Sequence, residues 1–285
     1  MSDIENGRQP AAPLTADDLR RFCDFFYKQT GIVYGENKRF YIERRIAQRM
    51  HFSGSASFAA YMALLRSSRP EIEQLINAFT VNETYYYRED GHLRCLSGAL
   101  LPDIVKTRGP GDSVRIWSVP CSTGEEPYSL AIWLLENWAL VDAYNIEIVG
   151  SDIDTDALEQ AVSGVYGQRS IARLPLDIVQ RYFTKISKSE WQIIADLQES
   201  VKFTKANLVD ATSMRAQGSF EIVFCRNVLI YFDDASRHAA SLNLYNCLSP
   251  GGYICLGHSE SMARITDRFE ARRFDDALVY QRPHR

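Results

Sequence analysis

Residues Val114–Ala131 read VRIWSVPCSTGEEPYSLA, and this stretch decides the fold. The apolar run Val114–Val119 is followed by the turn Ser122–Gly124 and by a helix-like apolar run that opens with Glu125 and Glu126. A strand, a tight glycine turn and a helix in this order are typical of a nucleotide-type site at the edge of a parallel sheet. The first turn of a helix presents free N–H groups and the positive end of the helix dipole. Because two carboxylates already stand there, the turn predicts a ligand that carries positive charge and disfavours a pyrophosphate.

Strand-like and helix-like runs alternate after the turn-rich stretch 107–111, as in a mostly parallel, doubly wound sheet. We predict helices over 125–138 and 155–163, and strands over Val114–Val119, Ile146–Ser151, Val201–Ala206, Glu221–Cys225, Gly252–Gly257 and Leu278–Tyr280. Ligands of such sheets bind beyond the carboxyl ends of the strands. Polar residues follow four of these ends, namely the turn 122–126, Asp152, Asn207 and the pair Arg226–Asn227. The sequence therefore predicts one ligand site along that edge.

Asp152 has the most specific expected role at this edge. A carboxylate at the end of the second strand commonly accepts both hydroxyls of a ribose. The alternative, capping the next helix, is open equally to Asp154. A dinucleotide is disfavoured because the turn has the single glycine Gly124, where a G-x-G-x-x-G fingerprint has three. S-adenosylmethionine fits better, since it has a ribose and an adenine, no phosphate, and both an ammonium and a sulfonium.

The region from residue 14 to about 100 reads as helical. Thr15 and Asp18 predict a capping box, and Gly31 predicts the end of the first helix. Further helices are predicted over 36–51, over 56–66 and from Pro70 onward. The helix over 36–51 has a basic outer face that contains Arg39, Arg44, Arg45 and Arg49. That face is either an ordinary solvated surface or a docking surface for an acidic partner.

The block Asn82–Arg88 holds three consecutive tyrosines between Asn82-Glu83-Thr84 and an arginine. Such aromatic runs usually pack in a core, and an arginine beside them can stack on a ring. The alternative is a ligand wall to which Asn82, Thr84 and Arg88 contribute amide, hydroxyl and guanidinium groups. Spacing alone leaves both interpretations open.

The composition is ordinary for a globular protein, with 46% hydrophobic and 24% charged residues. The net charge of −4 argues against a general nucleic-acid-binding protein. No apolar run approaches the roughly 18 residues of a membrane helix, and residues 1–13 lack the core of a signal peptide and are expected to be a disordered lead. The six cysteines are far apart and the histidines are not clustered, so we expect reduced thiols, no metal site and a cytoplasmic location.

Five blocks, in this order, resemble the CheR family of chemotaxis receptor methyltransferases, and the resemblance extends from about residue 14 to 282. The blocks are Asn82–Arg88, Ser122–Ser129, Ser151–Asp154, Cys225–Phe232 and Gly257–Glu260. The resemblance implies an α/β protein with an N-terminal all-α helical domain (14–90), a linker (91–112) and a Rossmann-like S-adenosylmethionine-dependent methyltransferase domain (113–285). A small antiparallel β-subdomain is expected as an insertion at 164–202.

The resemblance also implies the activity and the partner. Members of the family transfer a methyl group from S-adenosylmethionine to glutamate side chains on the cytoplasmic helices of chemoreceptors, leaving S-adenosylhomocysteine. A glutamate carboxylate is ionised near neutral pH, so it needs no general base. Catalysis is expected to come from alignment of the reacting atoms and exclusion of water.

Individual residues take their expected roles from the same resemblance. The positions that match cofactor-contacting residues are Asn82, Thr84, Arg88, Glu125, Glu126, Asp152, Asn207, Leu208, Arg226 and Asn227. Arg88 and Tyr231 match residues close to the transferred methyl group, and we expect them to hold the acceptor carboxylate. The arginines at 39, 44, 45 and 49 match the face that meets the acidic methylation region of a receptor.

The β-subdomain of some family members binds a pentapeptide at the receptor C-terminus, and those members have a longer, glycine-rich loop after an Arg-Tyr-Phe. Here Arg181–Phe183 is followed by residues 184–190 without a glycine, which predicts pentapeptide-independent binding. Three other functions stay open: a cofactor-binding scaffold without turnover, a methyltransferase of another acidic protein, and a nucleotide-dependent oxidoreductase. We expect the protein to be a monomer.

Overall fold

The computed structural model describes residues 14–275 and 277–284, which form two compact units divided between Phe79 and Thr80. The disordered lead predicted for residues 1–13 lies outside the described residues. The predicted end of the helical domain at residue 90 differs from this division, because residues 80–90 belong to the second unit.

The first unit is helical, as predicted. Its elements are α1 (Ala16–Thr30), a 3₁₀ turn (Glu36–Lys38), α2 (Arg39–Phe52), α3 (Phe58–Ser67) and α4 (Arg69–Phe79). The capping box of α1 is present, since the Thr15 hydroxyl accepts a hydrogen bond from the Asp18 amide at 3.0 Å and the Asp18 carboxylate accepts one from the Thr15 amide. Gly31 ends α1 with a left-handed φ of 72°. Both signals are local in sequence, which is why they predict the helix bounds well.

Residues 91–107 form a helical segment of the second unit rather than a linker. They consist of α5 (Gly91–Cys95), a π-helical turn (Leu96–Leu100), α6 (Leu101–Ile104) and a 3₁₀ turn (Val105–Thr107). Leu93, Leu96, Leu100 and Leu101 are buried in the core of that unit. Most of the predicted linker 91–112 is therefore helical and packed in the second unit, because apolar side chains at helical spacing bury this segment. The turn-rich part that remains runs from residue 108 to 112.

The second unit is built around a seven-stranded sheet. Its strands, with the three of a smaller sheet included in the numbering, are β1 (Ser113–Ser118), β2 (Asn145–Asp152), β3 (Val165–Gly167), β4 (Phe183–Lys185), β5 (Glu190–Ile193), β6 (Val201–Lys205), β7 (Phe220–Cys225), β8 (Leu248–Leu256), β9 (Glu270–Arg273) and β10 (Leu278–Gln281). The large sheet has the order β6-β2-β1-β7-β8-β10-β9. All neighbours from β6 to β8 are parallel, and β10 is antiparallel to both of its neighbours.

Helices connect these strands. They are α7 (Glu125–Asn137), α8 (Thr155–Ser163), α9 (Gln168–Ile171), α10 (Leu176–Tyr182), α11 (Ala195–Ser200), α12 (Ala211–Arg215) and α13 (Asp234–Cys247), with 3₁₀ turns at Val141–Ala143, Leu229–Tyr231 and Met262–Arg264. The predicted doubly wound sheet is confirmed. The chain moves outward from β1 in both directions, so the point where the strand order reverses lies between β1 and β7.

The predicted β-subdomain is also confirmed. Strands β3, β5 and β4 form a separate antiparallel sheet in that order. Strand β9 was not predicted, because its four residues Glu-Ala-Arg-Arg are all exposed and give no apolar signal. The polar residues predicted at strand ends follow β6, β2, β1 and β7, which are adjacent in the large sheet. The candidate site lies at that edge.

Candidate active site

The glycine turn between β1 and α7 is fixed by close packing. Gly124 has a φ of 93°, in the left-handed region that favours glycine. A Cβ at this position would lie 2.8 Å from the Ala161 Cβ and 2.9 Å from the Tyr166 hydroxyl. The single glycine of the turn therefore allows α8 and the β-subdomain to approach it, and it sets the position at which α7 begins.

Glu126 is the acid of this turn that faces a cleft at the strand ends. Its Oε1 accepts a hydrogen bond from the Ser118 hydroxyl at 2.8 Å, and its Oε2 lies 2.7 Å from Arg226 Nη1. The side chain is 15% exposed, so it is shielded but still reachable by a ligand. Burial raises the pKa of Glu126, and the Arg226 charge and the Ser118 hydrogen bond act in the opposite direction.

Arg226 connects the end of β7 to two other parts of the chain. Besides its ion pair with Glu126, its Nη2 donates to the Arg88 carbonyl oxygen at 2.6 Å and lies 3.1 Å from Glu89 Oε2. The side chain is only 3% exposed. The sequence predicted Arg226 but not Glu89, although an acid directly after the Arg88 block was a visible signal.

Asp152 ends β2 beside the glycine turn. Its Oδ2 accepts the Ser122 amide at 2.7 Å and its Oδ1 accepts the Asp154 amide at 2.9 Å. Burial raises the pKa of Asp152 to about 6, and those backbone hydrogen bonds oppose the rise. The helix-capping alternative falls to Asp154, whose Oδ1 accepts the Ala157 amide at 3.0 Å at the start of α8. Asp152 therefore caps no helix, and each of its oxygens keeps acceptor capacity for a ligand.

Asn82 ties the segment before the tyrosines to this edge. Its Nδ2 donates to Asp154 Oδ2 at 2.7 Å, and its Oδ1 accepts from the Ser122 hydroxyl at 3.0 Å. The Thr80 hydroxyl donates to the same Asp154 oxygen. These bonds place Asn82 next to both the glycine turn and the end of β2.

The tyrosine run packs, and the arginine after it lies at the cleft. Tyr86 is buried edge-to-face against Tyr166, with ring centroids 5.0 Å apart, and Tyr87 packs in the same way against Trp133. The Arg88 guanidinium donates to the Glu83 carbonyl oxygen at 2.7 Å. Within the described part of the chain Arg88 makes no ion pair with a carboxylate. The guanidinium also lies over the Tyr85 ring, 5.7 Å from its centroid. The packing interpretation therefore describes the tyrosines, and the ligand wall stays a prediction for Asn82, Thr84 and Arg88.

The loop after β7 is organised by Glu260, a residue for which the sequence predicted no role. Glu260 Oε2 accepts the amides of Asn227 and Gly257, both at 2.8 Å. Its Oε1 accepts the amides of Val228 at 2.9 Å and Leu229 at 2.7 Å. Four backbone hydrogen bonds to one carboxylate fix the position of Asn227, which lines the cleft. The signal for Glu260 in the sequence was its place in the Gly257–Glu260 block.

The remaining predicted residues lie around these groups. The Ala206 amide donates to the Asp152 carbonyl oxygen at 2.9 Å, so Asn207 and Leu208 follow directly beside the end of β2. Tyr231 lies in the 3₁₀ turn after Asn227 and is 41% exposed. Thr84 lines the cleft.

Glu125 has a different environment from the one expected for a cofactor-binding residue. It is 2% exposed, and its two oxygens accept hydrogen bonds from the Thr123 and Ser170 hydroxyls, both at 2.6 Å. Burial raises the pKa of this carboxyl group. These bonds join the glycine turn to the β-subdomain, so we propose a structural role for Glu125 in place of cofactor contact.

The four arginines of α2 are not equivalent. Arg49 forms a two-point ion pair with Glu71, at 3.0 and 2.8 Å, and Glu71 also accepts the Tyr61 hydroxyl. Arg39 pairs with Glu43 at 2.9 Å. Arg45 lies over the Tyr41 ring at 5.3 Å, and Arg44 is exposed without an ion pair among the described residues. Arg49 is thus committed to the core of the helical unit, whereas Arg44 is accessible.

The cleft combines Thr84, Arg88, Ser122, Glu126, Arg226 and Asn227, and Ser122 joins it to Asp152 and Asn82. Two carboxylates belong to this site, Glu126 at the glycine turn and Asp152 at the end of β2. Their negative charge would repel a phosphate. Leu93 and Pro120 add apolar wall. This chemistry fits S-adenosylmethionine, which presents ribose hydroxyls, a flat apolar base and positive charge.

Residues 14–275 and 277–284 contain no group of three or more His, Cys, Asp or Glu side chains placed to hold a metal ion. No helix of those ranges has the length and apolar character needed to cross a bilayer. All six cysteines are free thiols, and Cys23 is the least buried of them.

Comparison with known proteins agrees with both units. Residues 17–80 match the family described as CheR methyltransferase, all-alpha domain, and residues 82–277 match CheR methyltransferase, SAM binding domain. The chain is 43% identical to chemotaxis protein methyltransferase 2 of Vibrio cholerae, over 95% of each chain. It is 32% identical to chemotaxis protein methyltransferase 1 of Pseudomonas aeruginosa, over 93% of this chain and 97% of the relative. The chain therefore belongs to the CheR family of S-adenosylmethionine-dependent methyltransferases.

Proposed function

We propose that the protein is a protein-glutamate O-methyltransferase that acts on the cytoplasmic helices of chemoreceptors, in the cytoplasm. The observation that carries this proposal is the pairing of opposite charges in one cleft. Glu126 and Asp152 supply carboxylates for a cationic cofactor, and the guanidinium of Arg88, which has no carboxylate partner in the described residues, is available for an anionic acceptor. The names of the relatives, which are chemotaxis methyltransferases, support the choice of receptor.

The cofactor is assigned to specific side chains in this proposal. Asp152 accepts the ribose hydroxyls, and Glu126 faces the positively charged part of the molecule. Asn82, Thr84, Asn207, Leu208, Arg226 and Asn227 complete the surrounding wall. S-adenosylmethionine supplies a methyl group activated by a sulfonium.

The acceptor needs orientation rather than deprotonation. A glutamate side chain is ionised near pH 7 and is already a nucleophile. Arg88 binds one carboxylate oxygen and holds the other toward the cleft, and Tyr231 donates a phenol hydrogen bond to the same group. Fixing a reactant in this way removes entropy from the barrier, and the shielded cleft keeps water from the reacting charges. No general base is assigned because the reaction requires none.

The receptor is proposed to dock on α2. Arg44 is the strongest candidate because its charge is exposed and unpaired in the described residues, and Arg39 and Arg45 lie on the same helix. A receptor methylation region is acidic, so a basic face attracts it and orients the encounter. Arg49 is excluded from this role by its pair with Glu71.

Receptor binding is further proposed to be independent of a C-terminal pentapeptide. The connection between β4 and β5 comprises residues 186–189 and is closed by a hydrogen bond from the Ser187 hydroxyl to the Glu190 carboxylate at 2.9 Å. Calorimetric titration with the pentapeptide of a tethered receptor is expected to show no binding at micromolar concentrations. Micromolar affinity would overturn this part of the proposal.

The test of glutamate specificity uses purified receptor cytoplasmic fragments and methyl-labelled S-adenosylmethionine. Fragments with glutamate at their methylation sites are expected to gain base-labile label, as methyl esters do, and fragments with glutamine there are not. Equal labelling of both fragments would exclude glutamate as the acceptor. Tight cofactor binding without label on any receptor fragment would favour a scaffold or another acidic acceptor.

A further inference from the structure

We propose that Glu89 is a positioning residue that neutralises Arg226 and thereby leaves the carboxylate of Glu126 to attract the cationic cofactor. The inference rests on the proposed location of S-adenosylmethionine in the cleft. It concerns a residue outside the set that the sequence assigned to the site.

The charge count around Arg226 is the first observation. Arg226 Nη1 lies 2.7 Å from Glu126 Oε2, and Arg226 Nη2 lies 3.1 Å from Glu89 Oε2. One buried guanidinium thus stands between two carboxylates, and the group carries one net negative charge. Without the Glu89 charge, Arg226 would cancel Glu126, and the glycine turn would offer a neutral ion pair to a cation.

The backbone around Glu89 is the second observation. Glu89 and Tyr87 have φ values of 54° and 57°, a conformation that side-chain-bearing residues rarely adopt. The segment is held there by hydrogen bonds from the Tyr87 amide to the Ser129 hydroxyl at 3.0 Å and from the Tyr86 amide to the Ser170 carbonyl oxygen at 2.9 Å. An unfavourable backbone conformation that the surroundings maintain is typical of functional segments. Here it directs an acid toward Arg226.

The other groups that face Glu89 do not replace its charge. His258 Nδ1 lies 3.5 Å away on a side chain that is 76% exposed, and His92 Nδ1 lies 3.8 Å away on a buried one. Burial, with the nearby Arg226 charge, lowers the pKa of His92 to about 4, so this imidazole is neutral at pH 7. Burial alone would raise the pKa of Glu89, but the Arg226 charge opposes burial, and the pKa is lowered overall. Glu89 is therefore ionised under the conditions in which the cofactor binds.

A purely structural role is the competing interpretation, and charge discriminates between the two. S-adenosylmethionine carries one positive charge more than S-adenosylhomocysteine and is otherwise nearly the same shape. Loss of a negative charge beside the site should weaken the sulfonium compound selectively. Loss of packing or of local order should weaken both compounds alike.

The experiment is calorimetric titration of the full-length protein with both compounds. In Glu89→Gln, the ratio of S-adenosylmethionine to S-adenosylhomocysteine affinity is expected to fall about fivefold, the order expected from one charge across a partly buried site. Asp90→Asn is the matched control, because Asp90 is 57% exposed and pairs with Arg94 at the surface. It removes the same charge one residue away and should leave the ratio unchanged.

An unchanged ratio in folded Glu89→Gln would overturn the proposal, as would an equal fall in Asp90→Asn. If Glu89→Gln does not fold, Glu89→Asp is measured instead. Its shorter side chain places the carboxylate farther from Arg226, so the ratio of S-adenosylmethionine to S-adenosylhomocysteine affinity should also fall. An unchanged ratio in Glu89→Asp would overturn the proposal too. No acceptor is present, so a failure of receptor methylation would not affect this result.

Discussion

The proposed contact of Asp152 with the ribose predicts a pH limit on cofactor binding. Its pKa of about 6 in the folded protein means that it takes up a proton as the pH falls through that value. The neutral acid is a poorer acceptor for two ribose hydroxyls than the carboxylate is. We therefore expect the affinity for S-adenosylhomocysteine to be constant above about pH 7 and to fall several-fold toward about pH 5.

Fluorescence or calorimetric titration across this range measures the effect, and Asp152→Asn is the comparison. The variant should bind weakly at every pH, because an amide has one acceptor oxygen and does not titrate. A wild-type profile that is flat below pH 6, or a variant that keeps the wild-type slope, would contradict the assignment of Asp152 to the ribose.

Positions that follow from the local sequence were predictable, and contacts that depend on distant partners were not. Asp152, Glu126 and Arg226 follow strand ends, and their positions are visible in the chain. Glu260 accepts hydrogen bonds from the amides of residues 227–229, more than 30 residues earlier in the chain. Glu89 pairs with the guanidinium of Arg226, more than 130 residues later. Only the folded chain brings these groups together.

The glycine turn is the element on which the site depends most directly. Gly124→Ala would require a left-handed alanine and would place its Cβ 2.8 Å from the Ala161 Cβ. We expect a loss of about 3 kcal/mol in the free energy of unfolding, together with weaker cofactor binding. Denaturant unfolding monitored by circular dichroism measures the change.

Gly98→Ala is the matched control for this substitution. Gly98 lies in the π-helical turn, and an added Cβ there meets nothing within 4 Å. The change should therefore be neutral or slightly stabilising. Equal effects of the two substitutions would show that the conformation of the turn does not determine stability.

Helix α2 carries arginines in two different environments, since Arg44 is exposed and Arg49 pairs with Glu71. Arg44→Glu is expected to raise the apparent KM for receptor fragments several-fold through the loss of electrostatic attraction, with cofactor affinity unchanged. Arg49→Ala is expected instead to lower the free energy of unfolding by about 3 kcal/mol, because Glu71 would keep a shielded charge without its partner. Steady-state kinetics and thermal unfolding of both variants separate these effects.

An Arg44→Glu variant with an unchanged KM would remove Arg44 from the proposed docking surface. The prediction from the sequence did not distinguish the four arginines, since all lie on one predicted helix. Their difference arises from Glu71 on α4, which pairs with one of them.

At the scale of the whole molecule, the sheet was predicted more accurately than the boundary between the two units. The alternation of strands and helices was enough to predict the doubly wound sheet. Each strand is recognised from the apolar pattern of a few consecutive residues, so no distant contact is needed. The bound between the units was placed at residue 90, and the structure has it at 79/80. Charge and turn residues around 107–111 resemble a linker, whereas the leucines that bury 91–104 in the second unit show their role only once packed.

We propose that a methyl group passes to a receptor glutamate in the cleft of Glu126, Arg226 and Arg88. The most direct measurement is transfer of labelled methyl from S-adenosylmethionine to receptor-containing membranes by the wild type and by Arg88→Ala. The substitution keeps the backbone carbonyl that holds Arg226. It removes the side chain beyond Cβ, including the guanidinium with its contacts to the Glu83 carbonyl oxygen and the Tyr85 ring. We expect base-labile label with the wild type, a loss of about two orders of magnitude in Arg88→Ala, and cofactor affinity within a few-fold. Undiminished transfer by Arg88→Ala would exclude Arg88 from the transfer step, and label that resists base would exclude a glutamyl methyl ester.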